Sequence, residues 1–405
     1  MSSTNFVLEP TFAPELGGLT FDVDRINAFM RAEYNDNFGF YQQNFGVYNY
    51  MQLTKDLQYK IHYMEGTPLL WQPHNSCSWD PMGNVQFGDK TITPCKAKMN
   101  VENCYDEMIN TIYKAFLSWD ASGRVDFDPQ YIPVVNEFVR TIGANATLGA
   151  RLTLTAGQLY DGVTEAFTAD LATDIQSMFK TSVGVCQGWI DLLEDSAATY
   201  SWLDGSFIDA ADISSDGTQW VGDSRTVLDL YDETFAGAPQ ALQDAIIEGG
   251  IGGFGAQFFP LWLVSSSVWR AVDAEYKVQR ATTATNLPRI EVETFQTQTP
   301  RGSRPVNVYK IDNTYVIPIH DPNHFTKYLT GTSHFQYLTL SGVVQLGTSF
   351  ASLPVVGQSD VGMMVQISNQ AEDLGKQKMV SHALFGTAIN DVDYIAGNHI
   401  YAEPA

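Results

Sequence analysis

The chain has 405 residues, of which 44% are hydrophobic, 12% aromatic and only 17% charged, so it can build a packed core and is not a solvated, disordered polymer. Its 23 Lys and Arg stand against 46 Asp and Glu, a formal charge of −23, and Coulomb repulsion then argues against broad wrapping by nucleic acid and against docking on anionic lipid. At about 150 residues per domain the length allows two or three domains.

The first residues, Met-Ser-Ser-Thr-Asn-Phe-Val-Leu-Glu, contain neither a basic nor a long apolar region. The most apolar stretch, from Phe258 to Trp269, is interrupted by Pro260 and three serines and is far short of the ~20 residues of a membrane span. The expectation is a soluble protein that is not exported through a signal peptide. Residues 1–20, with Pro10, Pro14, Gly17 and Gly18, read as an extended arm. A helix capped by Thr20 or Asp22 follows, with Val23, Ile26, Phe29 and Met30 at helical spacing.

Seven prolines and glycines between Gly66 and Pro94 forbid a long helix over residues 64–101. Leu69-Leu-Trp-Gln72 and Asn84-Val-Gln-Phe87 are short extended runs, and Cys95, Ala97, Met99 and Val101 alternate with polar residues as in a strand with one wet face. Together they predict a long two-stranded excursion, which has no core of its own and must lie on something else. The four cysteines, Cys77, Cys95, Cys104 and Cys186, contain no C-x-x-C and read as free thiols. A Cys77–Cys95 pair across the hairpin is the alternative that spacing leaves open.

Helices are expected at 103–119 and, opened by Pro133, at 131–160, although Arg151-Leu-Thr-Leu-Thr also has the pattern of a strand. Two more are expected at 226–248 and 260–279. A Thr- and Pro-rich tract at 281–305 is followed by strands at 306–319, 334–346, 361–367, 376–389 and 392–401, with a polar turn at 369–375. The fold class is α+β, with a central insertion between the long helix and a closing sheet.

Motifs for chemistry are poor. Gly250-Ile-Gly-Gly-Phe-Gly255 matches G-x-G-x-x-G, but a helix precedes it, so it reads as a glycine loop between two helices rather than a dinucleotide site. His320-Asp-Pro-Asn-His324 has the spacing of two metal ligands on a helix turn, but Pro322 lies between them and no third ligand is evident. Residues 181–224 carry eight acids and no Lys or Arg, out of register for a calcium loop, and read as a solvated acidic face. No catalytic residue, cofactor or metal site is expected, which leaves the surfaces of the molecule as its function.

The order of segments carries a resemblance. Extended arm, helix, long hairpin closing on Lys90-Thr-Ile-Thr-Pro-Cys-Lys-Ala-Lys-Met-Asn-Val, short helix, long helix ending at Gln158-Leu-Tyr-Asp-Gly162, mixed insertion and β-rich close (Lys376 to Tyr401) resemble the major capsid protein of tailed double-stranded-DNA bacteriophages, the Hong Kong phage-type capsid fold. The resemblance covers nearly the whole chain and is one of architecture, since the family has no diagnostic short motif. It implies an N-terminal arm at 1–22, a peripheral domain at 23–64, 101–165 (with the spine helix) and 345–405, an extended loop at 65–100, and an axial domain at 166–344 enlarged by the acidic insertion.

What the resemblance implies for function is a structural protein, not an enzyme, that self-assembles into the hexamers and pentamers of an icosahedral virion head around double-stranded DNA. Such a shell is assembled in the host cytoplasm, without sequence-specific DNA binding or membrane contact. Its further partners are portal, scaffolding and decoration proteins, with scaffolding either separate or cleaved away. Trp71, Trp79 and Phe87 are the expected loop anchors on a neighbour, Glu372, Asp373, Lys376 and Lys378 the ionic contacts at a three-fold axis, and Phe6 and Phe12 the arm contacts. Some members cross-link a loop Lys to a C-terminal Asn. Lys90, Lys96, Lys98, Asn390 and Asn398 stand in the corresponding regions, and no motif selects among them. The alternatives are an encapsulin-like nanocompartment and a cytosolic enzyme built around His320 and His324.

Overall fold

The computed structural model describes residues 187–203, 207–222, 225–253, 256–282, 288–299, 302–319, 329–342 and 391–402, together with 44–45, 47, 152–157 and 389, and the strands β1 to β8 and β15 to β17 given below. In chain order the early strands are β1 (Thr11–Phe12), β2 (Leu19–Thr20), β3 (Tyr50–Met51), β4 (Tyr59–Gly66), β5 (Val85–Ile92), β6 (Cys95–Cys104), β7 (Ser118–Trp119) and β8 (Val125–Asp126). Then come helix α1 (Trp189–Ala197), α2 (Val227–Gly237), α3 (Gln240–Ile247), β9 (Ile251–Gly253), β10 (Ala256–Val264) and α4 (Ser266–Thr282). The chain closes with β11 (Ile290–Thr299), β12 (Gly302–Ile311), β13 (Thr314–Pro318), β14 (Thr332–Gly342), β15 (Val355–Gly357), β16 (Met364–Ser368), β17 (Lys376–Thr387) and β18 (Ile395–Ala402). The class is mixed helix and sheet.

A seven-stranded sheet in the order β11-β12-β13-β10-β14-β18, with β9 beside β10, organises the second half of the chain. Its centre, β10, runs parallel to β13 and antiparallel to β14. Leu261, Trp262, Leu263 and Val264 are all fully buried, because helices and loops cover both faces of this strand. On one face Trp189 of α1 meets Phe335 and Tyr337 edge-on, beside Leu152, Leu154 and Phe45. On the other, α2, α3 and α4 pack Leu230, Leu242, Val268 and Val272 over Trp262 and Leu338. The apolar stripes of these helices exist to cover this sheet.

Several expectations are corrected. Residues 226–248 are two helices, because Pro239 lacks an N–H and forces Ala238 into the extended region (φ −69°, ψ 153°). Thr226 starts the first of them with a reciprocal capping box to Asp229. Residues 260–264 belong to a strand, and the following helix begins at Ser266. A short run that is apolar throughout is a two-sided buried strand as readily as a helix, and the sheet decides. Pro260 is tolerated there because it falls in the gap between the β9 register, which ends at Phe258, and the β13 register, which starts at Leu261. The Thr- and Pro-rich tract is the tail of α4 and then the β11–β12 hairpin, whose ten-residue ladder pairs Ile290 with Ile311 and Thr299 with Gly302. The run 306–319 is split by a tight turn at Asp312-Asn313, with Asp312 at φ 50°.

Gly250 to Gly255 is not a loop between helices: β9 pairs back on β10 as an arm of the sheet. Gly250, at φ 119°, has no room for a side chain, since a Cβ would lie 2.1 Å from the Phe258 carbonyl oxygen. The expected helix at 103–119 has strand at both described ends, β6 through Cys104 and β7 from Ser118. Residues 152–156 of the expected long helix are helical and fully buried. Gly157 is already a turn, and residues 131–151 and 158–160, like the helix expected after Thr20, lie outside the described residues.

The closing strands do not share a sheet. β17 lies in a five-stranded sheet, β16-β17-β15-β3 with β6 on the other edge of β17, whereas β18 completes the seven-stranded sheet beside β14. Gly397 makes that last pairing possible. At φ 147°, its Cβ would lie 2.0 Å from the Gln336 carbonyl oxygen.

Candidate functional site

The excursion read from prolines and glycines takes a definite form. β4 and β5 form an eight-residue antiparallel ladder from Tyr59–Ile92 to Gly66–Val85, with residues 67–84 between them. Neither strand pairs with any other described strand. β6 follows three residues later, yet leaves the hairpin and pairs along its whole length with β17, Cys95 opposite Phe385 and Cys104 opposite Lys376. The hairpin is therefore a finger that departs from the five-stranded sheet after β3 and returns to it at β6. Its two arms are 59–66 and 85–92: the second includes the extended run read at Asn84–Phe87, whereas the first begins before residue 64. A two-stranded ribbon is marginal on its own in water.

The expected contact residues fall unevenly. Phe87 lies in β5 opposite Met64, and Phe12 in the short β1–β2 pair opposite Leu19. Lys376 and Lys378 lie in β17, opposite Cys104 and Glu102, within the strand expected at 376–389. Lys90 lies in β5, and Cys95, Lys96 and Lys98 in β6. Phe6, Trp71, Trp79, Cys77, Glu372, Asp373, His320, His324 and Asn390 lie outside the described residues. Asn398 is not available for a cross-link: it is 1% exposed, its Oδ1 accepts from the Ile208 N–H at 3.1 Å and its Nδ2 donates to the Ile208 carbonyl at 2.9 Å.

That bidentate contact belongs to a polar layer that the sequence did not reveal. Trp262 Nε1 donates to Gln336 Oε1 at 2.7 Å, and Gln336 lies opposite Asn398 in the β14–β18 ladder. The chain of contacts therefore runs from the central strand to the 207–222 segment. His334 is sealed beneath the same segment. Its Nε2 donates to the Gly217 carbonyl at 3.0 Å while Ser267 Oγ donates to Nδ1 at 2.6 Å, which sets the tautomer. Burial pushes the His334 imidazole down, the Gly217 carbonyl opposes the shift, and His399 adds to it.

The acidic tract is likewise not a uniformly solvated face. Asp212 is 1% exposed and is gripped by Arg225, the first cation after the tract, through Nε at 3.1 Å and through Nη2. Arg225 also donates to the Phe207 carbonyl and to Glu233. Burial works against the guanidinium charge, but Asp212, then Glu233 and Asp209, hold its pKa above the ordinary value. Asp209 and Asp216 stay exposed while bonding nearby backbone: Asp209 caps the turn at Ala211 and Asp216 accepts from Thr218 N–H.

On the opposite face Ser333 Oγ lies 2.5 Å from His399 Nε2, and His399 Nδ1 contacts Glu194 of α1. Serine, imidazole and carboxylate in that order are the parts of a nucleophilic relay. Ser333, however, is fully buried within β14, so no acyl group can reach its oxygen. The geometry fastens α1 to the sheet. Among the described residues no group of three or more His, Cys, Asp or Glu is placed to hold a metal ion, and no helix is long and apolar enough to cross a membrane.

No family model and no curated protein matches the chain. Solved structures do. The chain is similar to a protein of the satellite phage P4 procapsid at 8% identity and a TM-score of 0.44, over 88% of this chain and 92% of that one. It is similar to the capsid protein of a native GTA particle at 8% identity and a TM-score of 0.40, over 98% and 97%. A third similar structure is the SrpI encapsulin complex of Synechococcus elongatus PCC 7942, at 9% identity and a TM-score of 0.38, over 86% and 84%.

Proposed function

We propose that the chain is the structural subunit of an icosahedral shell, the major capsid protein of a tailed-phage head. On this reading it self-assembles into hexamers and pentamers around double-stranded DNA and turns over no substrate. The observation that carries the reading is the β4–β5 finger. It leaves the five-stranded sheet, pairs with no other described strand and returns at β6. A ribbon of this length gains little by itself and is stabilised by lying on a sister copy.

On this reading Trp71, Trp79 and Phe87 anchor the finger on a neighbour, and Phe6 and Phe12 anchor the arm. Glu372, Asp373, Lys376 and Lys378 contribute ionic contacts where three copies meet. The five-stranded sheet belongs to the peripheral domain and the seven-stranded sheet, with its acidic insertion, to the axial domain. Portal, scaffolding and decoration proteins are further partners, the virion is the final location, and the host cytoplasm is the site of assembly. Many modest contacts closed by symmetry hold such a shell without any one being tight.

The test is expression of the full chain followed by size-exclusion chromatography and negative-stain microscopy. Closed particles or capsomer rings are expected, and a chain that remains monomeric at all concentrations overturns the reading. Nucleic acid within purified particles separates a phage head from a protein nanocompartment.

A further inference from the structure

Among the described residues three large hydrophobic side chains are strongly exposed: Ile247 at 65%, Val278 at 55% and Val221 at 54%. Two of them lie within helix stripes of opposite charge. On α4, Arg270, Ala274, Lys277 and Ala281 recur at i, i+4, i+7 and i+11. They form one exposed line flanked by Val278 and Arg280, which are also exposed. Lys277 pairs with Asp273 at 2.5 Å, and Asp273 accepts from Tyr309 as well. Arg270 and Arg280 make no ion pair among the described residues. This is a basic stripe with an apolar side on a chain of formal charge −23.

The counterpart is on α3. Gln240, Asp244, Ile247 and Glu248 recur at i, i+4, i+7 and i+8, all exposed, with Asp244 accepting from Gln240 at 2.7 Å. Ile247 is thus bracketed by Asp244 and Glu248. These residues also sit at the C-terminal end of the helix, where unpaired carbonyls add to the negative potential. Both stripes belong to the helical layer on one face of the seven-stranded sheet.

We infer that the α4 stripe of one copy seats on the α3 stripe of the next, Val278 against Ile247 and Arg270, Lys277 and Arg280 against Asp244 and Glu248. The inference deepens the shell reading and rests on it. Two copies this acidic repel each other over most of their surface, so the few places where a copy can approach are those that present cations to acids. Two different patches in contact either pair reciprocally about a two-fold axis or repeat head to tail, and the head-to-tail arrangement closes into a ring where the rotation fits. On the shell reading the contact is the head-to-tail one, around the axis of a hexamer or pentamer.

The test uses two full-length double variants. Lys277→Glu with Arg280→Glu makes both stripes acidic, and Asp244→Lys with Glu248→Lys makes both basic. Each alone is expected to lower the assembled fraction, read by sedimentation and negative-stain microscopy, at least about tenfold. Mixed in equal amounts, the reversed α4 stripe of one variant meets the reversed α3 stripe of the other and the two unreversed stripes meet at the next contact, so even-membered rings that alternate the two are expected to return. All four changes in one chain restore assembly, which excludes misfolding as the cause of the single-stripe losses. If wild type assembles and either variant alone assembles equally well, or the mixture stays unassembled, the interface is wrong and the shell reading stands. If wild type itself never leaves the monomer, both fall.

Discussion

Arg225 and Asp212 show what a single residue does in this molecule. The acidic segment contributes a buried carboxylate, and one guanidinium just beyond it neutralises that charge while tying down Phe207 and Glu233. Removing one member leaves an uncompensated buried charge, so Arg225→Met is expected to cost about 3–5 kcal/mol, measured as a fall in the urea midpoint. Burial holds His334 below the ordinary imidazole range, so the unfolded chain takes up its proton first. Its stabilising effect is complete above about pH 6.5 and is lost as pH falls through that value, levelling off beneath the lower folded value. Asp216, Asp229 and Asp273 are held below the usual carboxylate range by hydrogen bonds, so their losses come at lower pH still. Unfolding free energies at pH 7.5, 6.5 and 5.5 should decline for the wild type and run flatter for His334→Gln.

Elements show how local signals compete. The run from Phe258 to Val264 has no period that separates a buried helix from a central strand, and its neighbours β13 and β14 decide the outcome. Trp262 is the keystone of that strand, fully buried and bonded to Gln336, and Trp262→Ala is expected to cost about 3–5 kcal/mol in the same unfolding measurement. The β4–β5 finger behaves oppositely. Replacing residues 59–92 by a short Gly-Ser linker removes both strands together and leaves no orphaned edge. The variant is expected to unfold at nearly the wild-type urea midpoint and to yield no closed particles. Normal particle yield and size would show that the finger is not an assembly element.

At the scale of the whole molecule, the charge of −23 dominates. A surface of this sign releases no counterions from a phosphate backbone, so retention of duplex DNA in a mobility-shift assay at about 0.15 M salt is expected to be weaker than a Kd of about 10⁻⁴ M. Tight retention that weakens steeply with added salt would contradict that expectation.

The sequence by itself determined the α+β class, the sheet-rich end, the extended run that becomes the second arm of the finger, the helix starting at Thr226 and the poverty of catalytic motifs. These are local matters of period, capping and turn chemistry. It also carried the order of segments on which the capsid resemblance rests. It did not show that Asn398 grips Ile208 from 190 residues away, that Asp212 is buried under Arg225, or that β17 and β18 part company into different sheets. Tertiary structure alone decided those. A polar side chain in a strand reads the same whether water or a distant backbone satisfies it, and the partner of a sheet edge is chosen by long-range burial that no local pattern encodes.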